Sequence, residues 1–373
     1  MMGRLVAIML LALVAACSPR TPPGPDVHLE GYPERLSDWR LLNVEDGTLT
    51  LTAGVKPYDL ATPLFTDYAL KLRTVFVPAG TAATYSVDDA FEFPVGSVIS
   101  KTFYYQQYAP DWSGEVVLAD GPVFANGALP LVDVRLVETR LLVRRADGWV
   151  AIPYVWNDDQ TDAVLRRTGE VAPLLLHRPD GREDAFSYIV PNQNQCAGCH
   201  TVNNTTRALA PIGPKARHLN KASSFAAGLN QLDDWRASGL LRGDFTADTA
   251  PKNVDWSDDA QPLDARARAY LDANCSHCHS NVGPADTSGL DLRPGVAFGP
   301  AYGECKTPVA AGGGSGGRPF DIVPGDPDRS IFAYRLETTE PGAMMPELGR
   351  SLSHEEGVAL IRAWIAAMDG GCA

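Results

Sequence analysis

The sequence predicts a multidomain protein, with an N-terminal antiparallel β-sandwich or jelly-roll-like domain over residues 28–190 followed by a mostly α-helical region. Three observations predict it. Residues 28–190 repeat short β-branched and aromatic runs between turn formers. After Pro191 the apolar spacing becomes helical. Two five-residue motifs of one pattern, C-x-x-C-H, lie in that second region, at residues 196–200 and 275–279. The 373 residues are too many for one small core. Hydrophobic content of 45% with 34 Gly and 29 Pro suits a loop-rich globular chain and argues against a coiled coil or a disordered polymer. A formal charge of -13 argues against nucleic acid as a partner, since a duplex-binding protein needs a basic face, and it would steer basic partners toward the chain.

In chain order, residues 1–16 read as a lipoprotein signal peptide. Arg4 supplies a positive start, and Leu5 to Val14 is an apolar run too short to span a bilayer. Val14-Ala15-Ala16-Cys17 resembles a lipobox, which makes Cys17 the expected lipidation site. Ser18 after it resembles the signal for outer-membrane sorting, so the chain is expected to be exported and lipid-anchored, facing the periplasm. Residues 17–27 hold four prolines and read as a stiff tether.

Within residues 28–190 the clearest strands are Leu131–Val137, Arg140–Val143 and Trp149–Trp156. Asp46-Gly47, Pro78-Ala79-Gly80 and Pro94-Val95-Gly96 mark turns between strands. The acidic stretch Asn157–Asp162 lacks the Gly and distal Glu of a calcium loop and reads as a solvated turn. Residues 191–262 form the segment of the first motif, with a helix expected in Ala226–Leu241. Residues 263–373 form the second, opened by a helix over Leu263–Asn274 and closed by one over Ser353–Met368. In the last helix Ser353 and Glu356 match a capping box, and Val358, Ile361, Trp364, Ile365 and Met368 make one apolar stripe. The Gly312–Gly317 run lacks the Lys-Ser/Thr of a P-loop and reads as a loop.

The motifs carry the chemistry. Cys196 with Cys199, and Cys275 with Cys278, have the spacing that joins two vinyl groups of one porphyrin as thioethers, and His200 and His279 then reach the iron as proximal ligands. The expected cofactors are two covalently bound haem c groups. A Cys₄ zinc site is the competing reading. Its pairs usually lie about 15–20 residues apart, and it has no use for a His after each pair. Ala343-Met344-Met345-Pro346 lies before the last helix, and this arrangement resembles the C-terminal half of a class I cytochrome c domain, which implies Met345 as the sixth ligand of the second haem, with Met344 as the alternative. No methionine lies between His200 and Met344. His218 is therefore the nearest candidate for the first iron, with His177 behind it, and an open site is the other outcome. Cys305 and Cys372 remain as a pair available for a disulfide in an oxidising compartment.

Further stretches carry a family resemblance. They are Tyr58-Asp59-Leu60-Ala61-Thr62-Pro63-Leu64-Phe65-Thr66-Asp67-Tyr68-Ala69, Phe93-Pro94-Val95-Gly96, Tyr154-Val155-Trp156-Asn157-Asp158-Asp159, Arg266 to Cys275 and Val323-Pro324-Gly325-Asp326-Pro327. With the two motifs, they resemble an uncharacterised family of predicted bacterial dihaem cytochrome c lipoproteins, from about residue 30 to the C-terminus. The resemblance implies a cytochrome c-type haem region behind a β-rich domain. It also implies a redox partner protein, with a neighbouring β-helix protein as the candidate, and leaves the substrate open. The expected function is electron transfer. The rival readings are a peroxidase-like dihaem oxidoreductase with an open first haem, and a carbohydrate- or protein-binding β domain with a redox module.

Overall fold

A computed structural model describes residues 24–373 apart from 120, 122 and 310. The signal peptide, Cys17 and most of the Pro-rich tether therefore lie outside the described residues.

Nine strands form one curled sheet. Its path runs through β11 (Ala163–Leu165), β10 (Gly148–Trp156), β9 (Val134–Arg145), β6 (Val98–Gln107), β7 (Glu115–Val117), β12 (Glu170–His177) and β13 (Glu183–Val190). On the same edge of β6 sits β4 (Leu70–Phe76), with β3 (Val55–Tyr58) beyond it. Nearly every position of β9 is buried, because both faces of the sheet are covered. One face, with Leu72, Leu141, Val143 and Ile152, packs under a small antiparallel sheet of β1 (Leu42–Glu45), β2 (Thr48–Leu51) and β8 (Ala128–Pro130). The hairpin between β1 and β2 turns at Asp46 and Gly47, both at positive φ (48° and 68°), a geometry that Asp-Gly adopts readily. The opposite face is covered partly by β12 and β13, which curl back over Phe103 and Val137, and partly by chain after Pro191.

Both halves of the expected fold class need correction. The β-rich character of residues 28–190 stands, but the antiparallel sandwich or jelly roll does not: one sheet curls on itself, and β7 pairs with β12 in parallel (Glu115 opposite Leu175). The chain after Pro191 is not a mostly α-helical cytochrome region. Among the described residues strand makes up 26% and helix 18%. The helices are α1 (Cys196–His200), α2 (Ala216–Leu219), α3 (Gln231–Ala237), α4 (Leu263–Asn274), α5 (Ile331–Glu337) and α6 (Glu355–Ala366). Only α4 and α6 reach 12 residues. Gly and Pro recur at short intervals through residues 281–327 and again from Pro341, with α5 in the stretch between, so loops fill most of that space.

Two helix boundaries shift for local reasons. The helix expected over Ala226–Leu241 begins at Gln231, because the Asn230 side chain accepts from Leu232 N, and the chain leaves it through Gly239 at φ 74°. The last helix starts at Glu355 without the capping box. Ser353 Oγ donates to Leu336 O, and Glu356 accepts from Tyr68 OH at 2.9 Å.

Residues 216–250 share a core with the sheet: Leu219, Leu232 and Trp235 pack against Val75, Ile99 and Leu142. A two-stranded parallel sheet of β5 (Ala83–Thr84) and β14 (Leu241–Arg242) ties them further. Residues 263–373 build a core of their own, with Leu271, Ile361 and Trp364 between α4 and α6. Gly357 lets the helices approach closely, since a Cβ there would run into Tyr270 and His354.

Candidate functional site

At the second motif, α4 delivers Cys275 at its end, and the chain then turns tightly as Cys278 N and His279 N donate to Cys275 O. Gly283 is required behind this turn, because a Cβ there would collide with the Cys278 carbonyl. The position of His279 is set by Ser288. Ser288 Oγ donates to Ala285 O (2.7 Å), so it accepts from His279 Nδ1 (3.2 Å) and leaves Nε2 free. Burial pulls the His279 imidazole down to about 4, which keeps it neutral.

A cavity of about 600 Å³ opens beside His279, walled by Cys275, Leu271, Leu292, Phe332 and Met345. Met345 N donates to Arg335 O at 2.8 Å, and buried Arg350 donates to Met345 O, Arg335 O, Thr338 O and Leu352 O. Arg350 thus pins the methionine loop through four carbonyls. Met344 does not line this cavity, and Met368 lies partly buried against the core.

The first motif is the short helix α1. Asn192 and Gln195 hold its start reciprocally: Gln195 N donates to Asn192 Oδ1, and Asn192 N to Gln195 Oε1, both at 2.9 Å. His200 Nδ1 donates to Ala210 O at 3.0 Å, again freeing Nε2, and burial pulls this imidazole down to about 4. A cleft of about 1540 Å³ lies beside the following loop, between Leu209, Ile212, Phe93 and Trp149.

The fold brings the two motifs together. Cys199 and Cys278 line one cavity, and Cys278 Sγ is 3.7 Å from Gly198 O. A cavity of about 1230 Å³ runs along both, lined by Cys199, His277, Cys278, Met345 and Leu348. The four thiols do not converge as a Cys₄ zinc site would require: Cys196 packs against the sheet's core, and Cys275 against that of α4 and α6. Among the described residues no group of three or more His, Cys, Asp or Glu is arranged to hold a metal ion by itself. What the motifs offer is the donor set a haem c would use, namely paired thiols and an imidazole with a free Nε2. At the second motif a thioether shares an apolar cavity with that imidazole.

His218 is not brought to the first motif's cleft. Its Nε2 lies 2.8 Å from Asp272 Oδ2, in a buried network where Asp272 also accepts from Arg217, Asn253 and Ser276. Burial would raise the Asp272 carboxyl, but the His218 and Arg217 hydrogen bonds outweigh it and hold the group well below the usual carboxylate range. His177 sits on β12 between Glu115 (2.8 Å) and Glu183 (3.3 Å), stacked on Tyr108. Cys305 and Cys372 are joined in a disulfide with Cα atoms 5.3 Å apart.

The sequence reading missed a latch. The loop before β4 grips the second motif's region at three places: Phe65 N donates to Asn274 Oδ1, Asp67 Oδ1 accepts from Ser351 N and Leu352 N, and Tyr68 OH accepts from Glu355 N. Asp67 and Tyr68 sit at positive φ (43° and 61°), a strained backbone that these bonds hold in place. The signal was the Thr-Asp-Tyr of the resembling stretch, which carried no chemistry of its own. Comparisons with protein-family models, curated proteins and solved structures match nothing to this chain.

Proposed function

We propose that the chain is an exported, lipid-anchored dihaem c-type cytochrome that passes electrons to or from a redox partner protein, as its resemblance to dihaem cytochrome c lipoproteins implies. One observation carries the reading: two C-x-x-C-H motifs, separated by most of a domain in sequence, fold side by side along one cavity, and Met345 shares a cavity with His279. A bound haem would supply a one-electron iron couple at each motif. Cys196 with Cys199 and Cys275 with Cys278 would hold it as thioethers, and His200 and His279 present neutral Nε2 atoms. Leu271, Leu292 and Phe332 exclude water from the second site. The Met345 thioether would favour reduced iron there, which suits a carrier.

A dihaem oxidoreductase with an open first site is the second reading, and the commitment of His218 to Asp272 favours it. The binding-module reading draws less support. The two most exposed aromatics, Tyr108 and Trp112, are stacked on His177 and Arg135.

Absorption spectra of the oxidised and reduced protein, with and without carbon monoxide, test the proposal. Wild type should show the thioether-to-iron band, and Met345→Ala should abolish it and add one carbon monoxide site per chain. If the first site is open, wild type already binds about one. Haem that extracts into acid acetone would overturn covalent attachment.

A further inference from the structure

The sheet face opposite β1, β2 and β8 carries a row of cations. Strand register sets Arg73 on β4 opposite Lys101 on β6, and Lys101 opposite Arg140 on β9. Lys71 lies two residues before Arg73 on the same face, and Lys71, Lys101 and Arg140 surround the Phe103 ring at 5.8, 5.4 and 4.4 Å.

Only Arg140 is paired, with Glu138, which Tyr188 OH also engages. Lys71 donates to Ala69 O, and among the described residues no carboxylate forms an ion pair with Lys71, Arg73 or Lys101. The nearest acids are engaged elsewhere: Asp59 by Ser224 and Lys221, Asp67 by the backbone at 351–352. Arg73 is 6% exposed, and its Nη2 has no partner among the described residues.

Burial lowers all three unpaired groups, Lys101 to about 7, and the neighbouring cations lower Lys71 and Lys101 further. Cations buried this way are unfavourable unless an anion joins them or a proton leaves. Arg73 and Lys71 open into a cavity whose other walls include Asp59, Phe65, Tyr68, Trp256 and His354. The row also borders the first motif, since Lys101 acts electrostatically on Cys199 and His200, and Arg140 on Cys196.

We propose that Lys71, Arg73 and Lys101, with Arg140 beside them, form a binding site for a paired-carboxylate ligand next to the first motif. Two sources share that chemistry: the propionates of the first haem, and a free dicarboxylate entering the cavity. The propionate source rests on the haem reading above, and the free dicarboxylate does not.

Arg73→Gln and Lys101→Gln test the site in the protein matured with its haems and in a Cys196→Ala, Cys199→Ala chain, by thermal melting with and without millimolar succinate. If propionates occupy the row, either substitution lowers Tm and the first haem's midpoint potential in the wild-type background, leaves the second haem's potential in place, and raises Tm in the chain lacking the first motif's thiols. If the ligand is a free dicarboxylate, succinate raises the wild-type Tm saturably, and each substitution weakens that effect at least tenfold. Equal Tm changes in both backgrounds, unchanged potentials and no succinate effect would overturn the site. A pyridine haemochrome assay keeps the two failures apart: a chain without covalent haem sinks the haem reading, and the succinate titration then decides the site alone. Either substitution gives the same readouts if the other does not fold.

Discussion

Cys196–His200 lies in a five-residue helix started by two polar side chains, on a segment that has no core of its own. Cys275 instead ends a helix of 12 residues whose apolar side is buried against α6, and it opens onto an apolar cavity that Met345 shares. The five-residue pattern is common to both. What differs is the surroundings, and the surroundings decide which groups can approach the far side of whatever each histidine holds. The same C-x-x-C-H pattern therefore sits in two different packing environments within a single chain.

The largest test of this contrast removes the thiols. Cys275→Ala with Cys278→Ala should halve the haem per chain and also leave the cavity between α4 and α5 unfilled, so the variant should melt far below wild type. Cys196→Ala with Cys199→Ala should halve the haem with a smaller loss. Equal melting losses, read by circular dichroism beside a haemochrome assay, would break the contrast.

Asp272→Asn should cost about 3–5 kcal/mol in urea unfolding, because it strands Arg217 in a buried site that joins the two motif segments. The carboxyl of Asp272 is depressed in the folded state, so its contribution is complete above the ordinary Asp range and is lost only as pH falls through strongly acidic values. A variant that loses less than 1 kcal/mol would show that the network does not bind the segments together.

Only the second region carries a disulfide. Cys305→Ser with Cys372→Ser should cost about 2–4 kcal/mol, since the bridge closes a loop with a sequence separation of 67 residues. Two reactive thiols in the unfolded, unreduced wild-type protein would reject the bridge.

Near neutral pH the smallest change comes from the protonation of His354. Burial, then Lys71 and Arg350, pull the His354 imidazole down to about 3, below its unfolded value near 6.5. The unfolded chain therefore binds the extra proton between those values, and stability falls as pH drops from about 6.5 toward 3. One proton corresponds to a slope of roughly 1.4 kcal/mol per pH unit within that window. His354→Phe should flatten that slope, and an unchanged slope from calorimetric melts would remove His354 from the account.

How much was legible depended on the range of the interactions. The Leu263–Asn274 helix was readable to the residue, since its helix-forming side chains end where the motif begins, and the buried stripe of Val358, Ile361, Trp364 and Ile365 followed from spacing alone. The strands near residues 134–156 were visible in the same way. The curled sheet was not, because whether β12 pairs with β7 or with a facing sheet depends on partners far away in the chain. The same holds for Arg350 beneath Met345, and for Asp272, which reads as one more polar residue on a helix until Arg217 and His218 arrive from 55 and 54 positions earlier. The capping box at Ser353 failed because Tyr68, from another part of the fold, took its glutamate.

The latch from Phe65, Asp67 and Tyr68 bears on how such a chain can be rearranged. Residues 263–373 have their own core and a covalent closure, yet Asn274, Ser351, Leu352 and Glu355 each depend on a loop nearly 200 positions or more upstream. A graft of the terminal segment onto another scaffold would transplant the pocket but lose the grip on both of its ends. A graft of residues 191–262 would tear Leu232 and Trp235 out of the sheet. The unit that can be exchanged or inherited is therefore the whole assembly of sheet and motifs, and swaps that exchange the loop at 65–68 together with residues 263–373 should survive where swaps of either part alone do not.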